Sequence, residues 1–424
     1  EPVAEFGNGR TNRLPAFVLG VAALTLCFVT QIIQLFPSLE GLQIAKFLTV
    51  LVVLSFVLSR DGFRSRVAVR SVPQFISLFG LLGLAVVTIP SSLWPSNSLD
   101  FVTGVFAKNV AFVYLLLQAA RTDRASRFIT RTFVAGCSTL VIAMICGFGP
   151  LVTYRDHPDR LAVGGTYDAN DLALLFVVAI PFAFFQVRSS RPVTRALLIT
   201  AIALMLGGIL VTGSRGGFLG LLAIAALILI KSRAQARKYA LVAISAGALL
   251  FAFAAPATYW NRINTIVNYE EDYNLTERSG RVEVWKTGAR IFSAHPLLGV
   301  GIANFPVAHS KYSETHAEIA AHNSFLQVGA ELGLPGLLLF VWGIAATFLA
   351  TRRIRRRSAE SDESAWLASA VEVSLAGFLA AAFFLSHAYS AIFCFLVGMG
   401  GVLLIQRRLK SRIEEQSREE IEYA

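Results

Sequence analysis

The chain has 424 residues, 55% of them hydrophobic and only 15% charged, with a mean hydropathy of +0.61 and a formal net charge of +11. A soluble domain carries about 25% charged residues, so this composition excludes an ordinary soluble globular protein and indicates a chain that sits mostly in lipid. The positive balance calls for no nucleic-acid partner, because its distribution along the chain reads as a topology signal.

A spanning helix needs about 20 predominantly apolar residues. About twelve such runs are read here, near 15–36, 41–59, 73–92, 99–120, 128–148, 169–187, 193–212, 216–231, 239–257, 333–351, 365–386 and 389–406. The expected fold is therefore an all-α polytopic membrane protein, with residues 1–424 as a single integral membrane domain. The first run has no small-residue cleavage site after it and reads as a retained helix rather than a signal peptide. No internal repeat and no appended soluble domain is found.

Lysine and arginine set the orientation. Of the 38 basic residues, 27 fall at the two ends of the chain and in alternate connections, including Arg121–Arg131, Arg188–Arg195 and Arg352–Arg357. These connections and both termini are expected on the cytoplasmic side. Lys46 and Lys108 fall within runs. Arg155, Arg160, Arg215, Arg262, Arg278, Arg281, Lys286, Arg290 and Lys311 fall on the opposite side, confined to three loops; the outer connections near 37–40, 93–98 and 387–388 contain no Lys or Arg. Outer-side arginine is disfavoured during insertion, so its confinement points to a task such as holding an anion. The cysteines Cys27, Cys137, Cys146 and Cys394 all lie in apolar runs with no ligand or disulfide spacing and read as packing residues. Trp94–Asn97 reads as a short outer turn. Arg407–Glu420 reads as a solvated helix extending the last run.

The one long polar segment, residues 258–332, lies between the ninth and tenth runs and is expected to be a periplasmic loop. It holds four of the six histidines, His295, His309, His316 and His322. The segment from Ser279 to Trp285 leads into a helical stretch through Phe292, which should end at His295-Pro296, since proline disfavours helix at the residue before it. Gly299-Val300-Gly301 then reads as a tight turn. A short helix over 323–332 would place Asn323, Gln327 and Glu331 on one face. Gly333 should end it, and Pro335 should open the tenth span.

Three outer segments carry the candidate anion-binding arginines: Arg160 in the stretch running to Asn170, Arg215 in Thr212–Gly217, and Arg281 after Ser279-Gly280. Guanidinium groups suit phosphate because their planar fork donates two parallel hydrogen bonds and stays charged. The plain alternative is that each binds lipid headgroups or pairs with an acid. His322 is a candidate general base, because an unperturbed imidazole is mostly neutral at pH 7; the alternative is a solvated or structural loop histidine. His309, His316 and His322 with Glu314 or Glu318 match no strong metal-ligand spacing, and no metal or cofactor is expected. Glu270-Glu271-Asp272 reads either as a solvated run or as a cation site. Asp168 and Asp171 have capping-box spacing, and Asn170 between them is a candidate ligand contact.

The pattern His322-Asn323, Gly333 and Gly336 resembles the signature of the O-antigen ligase and polymerase superfamily. So do Ser279-Gly280-Arg281 to Trp285, His295–Gly301 to Phe305, Gly213–Gly216 and the stretch from Gly164 to Asn170. The motifs cover roughly 155–336, and topology alone extends the likeness further. The resemblance implies a bacterial inner-membrane enzyme that moves a glycan from undecaprenyl diphosphate to an acceptor on the periplasmic face. It implies Arg215 and Arg281, with Arg160, on the diphosphate, Asn323 and Asn170 near substrate, and His322 as base in a metal-independent, inverting transfer. The favoured acceptor is lipid A-core, which would make the protein a ligase. A polymerase, with a second lipid-linked unit as acceptor, and a protein O-oligosaccharyltransferase are the alternatives. A lipid-linked-glycan transporter is the competing class.

Overall fold

The computed structural model describes residues 14–36, 38, 43–58, 69–148, 151–154, 157–163, 167–231, 234–265, 268, 277, 280–357 and 362–422, with the backbone alone described at 151–154, 157–163, 234–236, 421 and 422. Arg155, Glu270, Glu271, Asp272, Arg278 and Ser279 lie outside the described residues.

In chain order the helices are α1 Ala16–Phe28, α2 Ile44–Leu58, α3 Pro73–Thr88, α4 Pro95–Phe101, α5 Ala107–Ala119, α6 Asp123–Cys146, α7 Ala169–Val187, α8 Pro192–Thr212, α9 Arg215–Lys231 and α10 Ala234–Ala254. They continue as α11 Ala257–Asn264, α12 Arg281–Ala294, α13 Phe305–Tyr312, α14 Ser324–Arg357, α15 Glu363–Ala382 and α16 Ala391–Glu422. Such a chain folds as helices because backbone N–H and C=O groups in lipid must be satisfied within the segment. Proline opens α3, α4 and α8, where its missing N–H costs nothing.

Among the described residues, nine helical segments are long and apolar enough to cross a membrane. The chain is a multi-pass membrane protein. Three of the expected runs correspond to shorter helices, α1 with 13 residues, α2 with 15 and α9 with 17. The fourth run starts earlier than read from the sequence: Pro95 already opens helix, so the outer turn ends at Trp94, and a π-helical segment Val102–Phe106 joins α4 to α5. The eleventh run ends earlier, at Ala382, which turns the expected two-residue connection into the longer segment Phe383–Ser390.

The centre of the bundle is α7, α15 and α16. Their most apolar windows are 72%, 78% and 78% buried, against 11% for α10, which therefore lies at the periphery. Close approach at the centre uses small residues: a Cβ on Gly217 of α9 would lie 2.6 Å from that of Ala173 on α7. Among the described residues the one sheet is a hairpin, β1 Leu151–Tyr154 antiparallel to β2 His157–Val163, with Leu151 opposite Val163. It adds a small β element to the all-α expectation. The chain then enters α7 past Tyr167, whose hydroxyl donates to the Val29 carbonyl at 2.9 Å.

The expected helix, turn and helix across the long loop are present. α14 contains a break at Gly333, with φ 65° and ψ −166°, so a short helix precedes the membrane-crossing part. The Gly299 turn packs against that break. Val300 N–H donates to Ala330 O at 2.9 Å, Gly301 N–H to Glu331 O at 2.9 Å and Leu334 N–H to Pro296 O at 2.7 Å. Gly333 has no alternative, because at its positive φ a Cβ would also sit 2.6 Å from the Leu297 carbonyl group. The loop is held from the other side by α4 and the connection before it: Leu93 N–H donates to Val300 O at 2.9 Å, and Ser98 Oγ donates to Ile302 O at 2.8 Å. α16 runs on as a solvated helix, exposed from Ser411 to Glu420.

Candidate active site

His322 immediately precedes the capping residue of α14. Asn323 Oδ1 accepts the N–H groups of Phe325 and Leu326, each at 3.0 Å, which starts the helix. Asn323 is thus placed next to the site by a structural task. His322 itself has φ 46°, in the left-handed region that few non-glycine residues adopt. Its backbone is tied down on both sides: its N–H donates to Ser386 Oγ at 2.9 Å, and its carbonyl accepts the Trp285 indole N–H at 3.3 Å. Next to it, Ser324 Oγ donates to Leu385 O at 2.7 Å and accepts the His387 N–H at 2.9 Å. These contacts hold His322 in that conformation against its strain.

The segment Phe383–Ser390 therefore forms the floor beneath His322. Trp285 packs edge-on against Phe383, ring centroids 5.5 Å apart, and lies 6.0 Å from Phe384. One turn before Trp285, the Arg281 guanidinium stands 5.9 Å from the centre of the Phe384 ring. The His322 imidazole is partly buried, and burial pushes its pKa below the usual 6.5. The Arg281 charge pushes the same way, while Asp168 and Asp171 oppose it. These four side chains thus share one electrostatic neighbourhood.

Asp168 and Asp171 form the expected capping box of α7. Asp168 Oδ1 accepts the N–H groups of Asn170 and Asp171 at 2.7 and 2.8 Å, and Asp171 Oδ2 accepts the Asp168 N–H at 3.1 Å. Asn170 Nδ2 lies 3.4 Å from Asp168 Oδ2. The other oxygen of Asp171 meets His387 Nε2 at 2.7 Å, with the two side chains 19% and 9% exposed. Because an ionised carboxylate only accepts, this contact puts the hydrogen on Nε2 of His387.

Arg215 is the first residue of α9, after the left-handed Gly213 that closes α8. Its Nη1 donates to Thr265 Oγ1 at 2.5 Å, which links it to the start of the long loop. A Cβ on the adjacent Gly216 would lie 4.0 Å from Ala381 O. That same carbonyl accepts the Phe384 N–H at 2.9 Å, so the backbone beside Arg215 and the side chain of Arg281 meet neighbouring turns at the end of α15. Arg160 lies in β2; its side chain is outside the described residues.

The other loop histidines are engaged in local structure. His295 Nε2 is 2.8 Å from the Tyr312 hydroxyl, His309 Nδ1 is 2.7 Å from Ala317 O, and His316 Nδ1 is 3.0 Å from Ser310 O. Among the described residues no group of three or more His, Cys, Asp or Glu is placed to hold a metal ion. Sequence reasoning missed Ser386 and His387, because it treated the last outer connection as bare for want of Lys or Arg. The available signal was the polar run Ser386-His387 and Ser390 between two apolar helices.

Residues 200–341 match the O-Antigen ligase family, a stretch that contains Arg215, Arg281 and His322. The chain is 28% identical over 307 residues to an O-antigen ligase of Pseudomonas aeruginosa, covering 70% of this chain and 69% of that one. It is also 28% identical over 300 residues to the exopolysaccharide production protein ExoQ of Rhizobium meliloti, covering 65% of each. Asp171 and His387 flank the matched stretch. The chain is thus a helical membrane protein that is similar to the O-Antigen ligase family over residues 200–341 and to these two relatives over about two thirds of its length.

Proposed function

We propose that the protein is an O-antigen ligase that transfers a glycan from undecaprenyl diphosphate to lipid A-core at the periplasmic face of the bacterial inner membrane. In this reading both termini are cytoplasmic, residues 1–424 form one membrane domain, and residues 258–332 form the periplasmic loop over the donor. The observation that carries it is the gathering of His322, Arg281, Asp171 and His387 at one end of the bundle, inside a chain that matches the O-Antigen ligase family.

The acceptor hydroxyl attacks C1 of the donor sugar. Its proton passes to the His322 imidazole as the new C–O bond forms, and the C1–O bond to phosphate breaks with its electron pair leaving on undecaprenyl diphosphate. Attack opposite the leaving group inverts the anomeric centre. General-base assistance of this kind is worth about 10²–10⁴ in rate. The leaving diphosphate gains charge in the transition state, which fixed cations stabilise without reorganisation. Arg215 and Arg281 supply those cations, with Arg160 as a third and Asn170 and Asn323 at the rim, so the transfer needs no metal. The lowered basicity of His322 suits it to stay neutral and ready as base beside Arg281. Asp171 and His387 hold the segment on which His322 rests.

The equal identity to an exopolysaccharide production protein favours one second reading, a polymerase that joins lipid-linked repeat units. Purified protein mixed with a defined undecaprenyl-diphosphate glycan and lipid A-core tests the choice. Capped lipid A-core is the expected product. Longer lipid-linked polymer with uncapped lipid A-core would instead establish the polymerase.

A further inference from the structure

At the opposite end of α7 from His387, four arginines line a cleft of about 680 Å³ together with Leu14 and Phe128. Arg124, Arg127 and Arg131 come from successive turns of α6, and Arg191 precedes α8. Residues at i, i+3 and i+7 share one helix face, where like charges repel. Arg127 is paired with Glu363 at 2.5 Å. Arg131 is held by neutral partners, its Nε donating to Gln186 Oε1 and its Nη2 to Ser190 Oγ, both at 3.0 Å. Those bonds fix the guanidinium in place without cancelling its charge.

We propose that this cleft binds the phosphate headgroup of an anionic phospholipid from the leaflet at that end of the bundle. Planar guanidinium forks match phosphate oxygens, and basic pockets between spanning helices are suited to such headgroups. The position favours a lipid over free phosphate. Arg124 lies in the first turn of α6, Arg191 at the start of α8 and Leu14 just before α1, so the cleft opens where apolar helices begin. Leu14 and Phe128 offer apolar surface beside the cations, which an acyl chain or glycerol backbone can cover and inorganic phosphate cannot. The volume falls in the range of about 300–1,000 Å³ common for ligand sites.

The test uses the full chain, purified in detergent and delipidated, with native mass spectrometry and thermal unfolding as readouts. Dioctanoyl-phosphatidylglycerol should bind and raise the unfolding temperature, whereas dioctanoyl-phosphatidylcholine and inorganic phosphate at equal concentration should not. Arg124→Gln with Arg191→Gln should weaken phosphatidylglycerol binding about tenfold or more, and the paired lysine variants, which keep the charge but lose the fork, should fall between these and the parent. If the double variant does not fold, Arg191→Gln alone is read in its place. Equal binding of phosphatidylcholine, an equal response to inorganic phosphate, or undiminished phosphatidylglycerol affinity in the glutamine variants would each overturn the proposal.

Discussion

His387 Nε2 lies 2.7 Å from Asp171 Oδ1, joining residues 216 positions apart in the chain. The contact fastens the start of α7 to the segment that carries Ser386, and Ser386 in turn holds the His322 N–H. Asp171 thus acts on His322 twice, through this chain of bonds and through its charge.

Breaking that tie should displace His322, the proposed base, without unfolding the bundle. His387→Ala is expected to lower the transfer rate by about 10²-fold, as small misplacements of reacting groups do, while donor KM changes little. Asp171→Asn can still accept a hydrogen bond from His387, so it should retain more activity than Asp171→Ala. Steady-state kinetics on the three purified variants check this; equal loss in Asp171→Asn and Asp171→Ala would mean that charge, not positioning, is the role.

His322→Ala should lower transfer by about 10²–10⁴ with unchanged thermal stability. The pH profile gives an independent check. The proposed base would work in its neutral form, and burial together with Arg281 lowers the His322 pKa. Activity should therefore persist below pH 6.5 and fall only as pH drops through the lowered value. Removing the Arg281 charge in Arg281→Gln takes away one lowering cause, so the acid limb of its residual activity should move to higher pH. Asp168→Asn removes a raising cause and should move it the other way. Profiles that superimpose in all three proteins would detach His322 from the acid limb.

The two arginines should fail differently from the histidine. Arg215→Ala is expected to cost about 10²–10³ in kcat, the scale for loss of one donor to a developing anion. Arg215→Lys should fall between that and the parent, since it keeps the charge but loses the fork. Arg281→Ala should also weaken binding of undecaprenyl diphosphate itself, measurable by isothermal titration in detergent.

Gly333→Ala tests the joint between the two loop motifs. The residue has φ 65°, and a Cβ there would stand 2.6 Å from the Leu297 carbonyl group. Strain of this kind costs about 1–3 kcal/mol, so the unfolding temperature in detergent should drop. Gly83→Ala, where a Cβ meets nothing within 4 Å, should leave it unchanged.

Much of this architecture was legible in the sequence because lipid removes alternatives. A backbone that cannot bond to water must bond to itself, so long apolar runs translate into helices. Local rules did the same on a smaller scale: His295-Pro296 ended α12, Gly333 broke α14 and the Asp168–Asp171 spacing became a capping box. His322, Arg215 and Arg281 could be singled out because polar groups have few places to go in such a chain. Tertiary structure alone decided which of them meet. The pairing of Asp171 with His387, the seat of His322 on Ser386 and the packing of the Gly299 turn against Gly333 join segments that no periodicity connects. Helix lengths escaped in the same way, with α15 stopping at Ala382 and freeing Phe383–Ser390. Hydropathy reads whether a side chain tolerates lipid, and Phe383, Phe384 and Leu385 do. That they leave the helix to build the floor beneath His322 depends on Trp285, Arg281 and Ser324, which reach them only once the chain has folded.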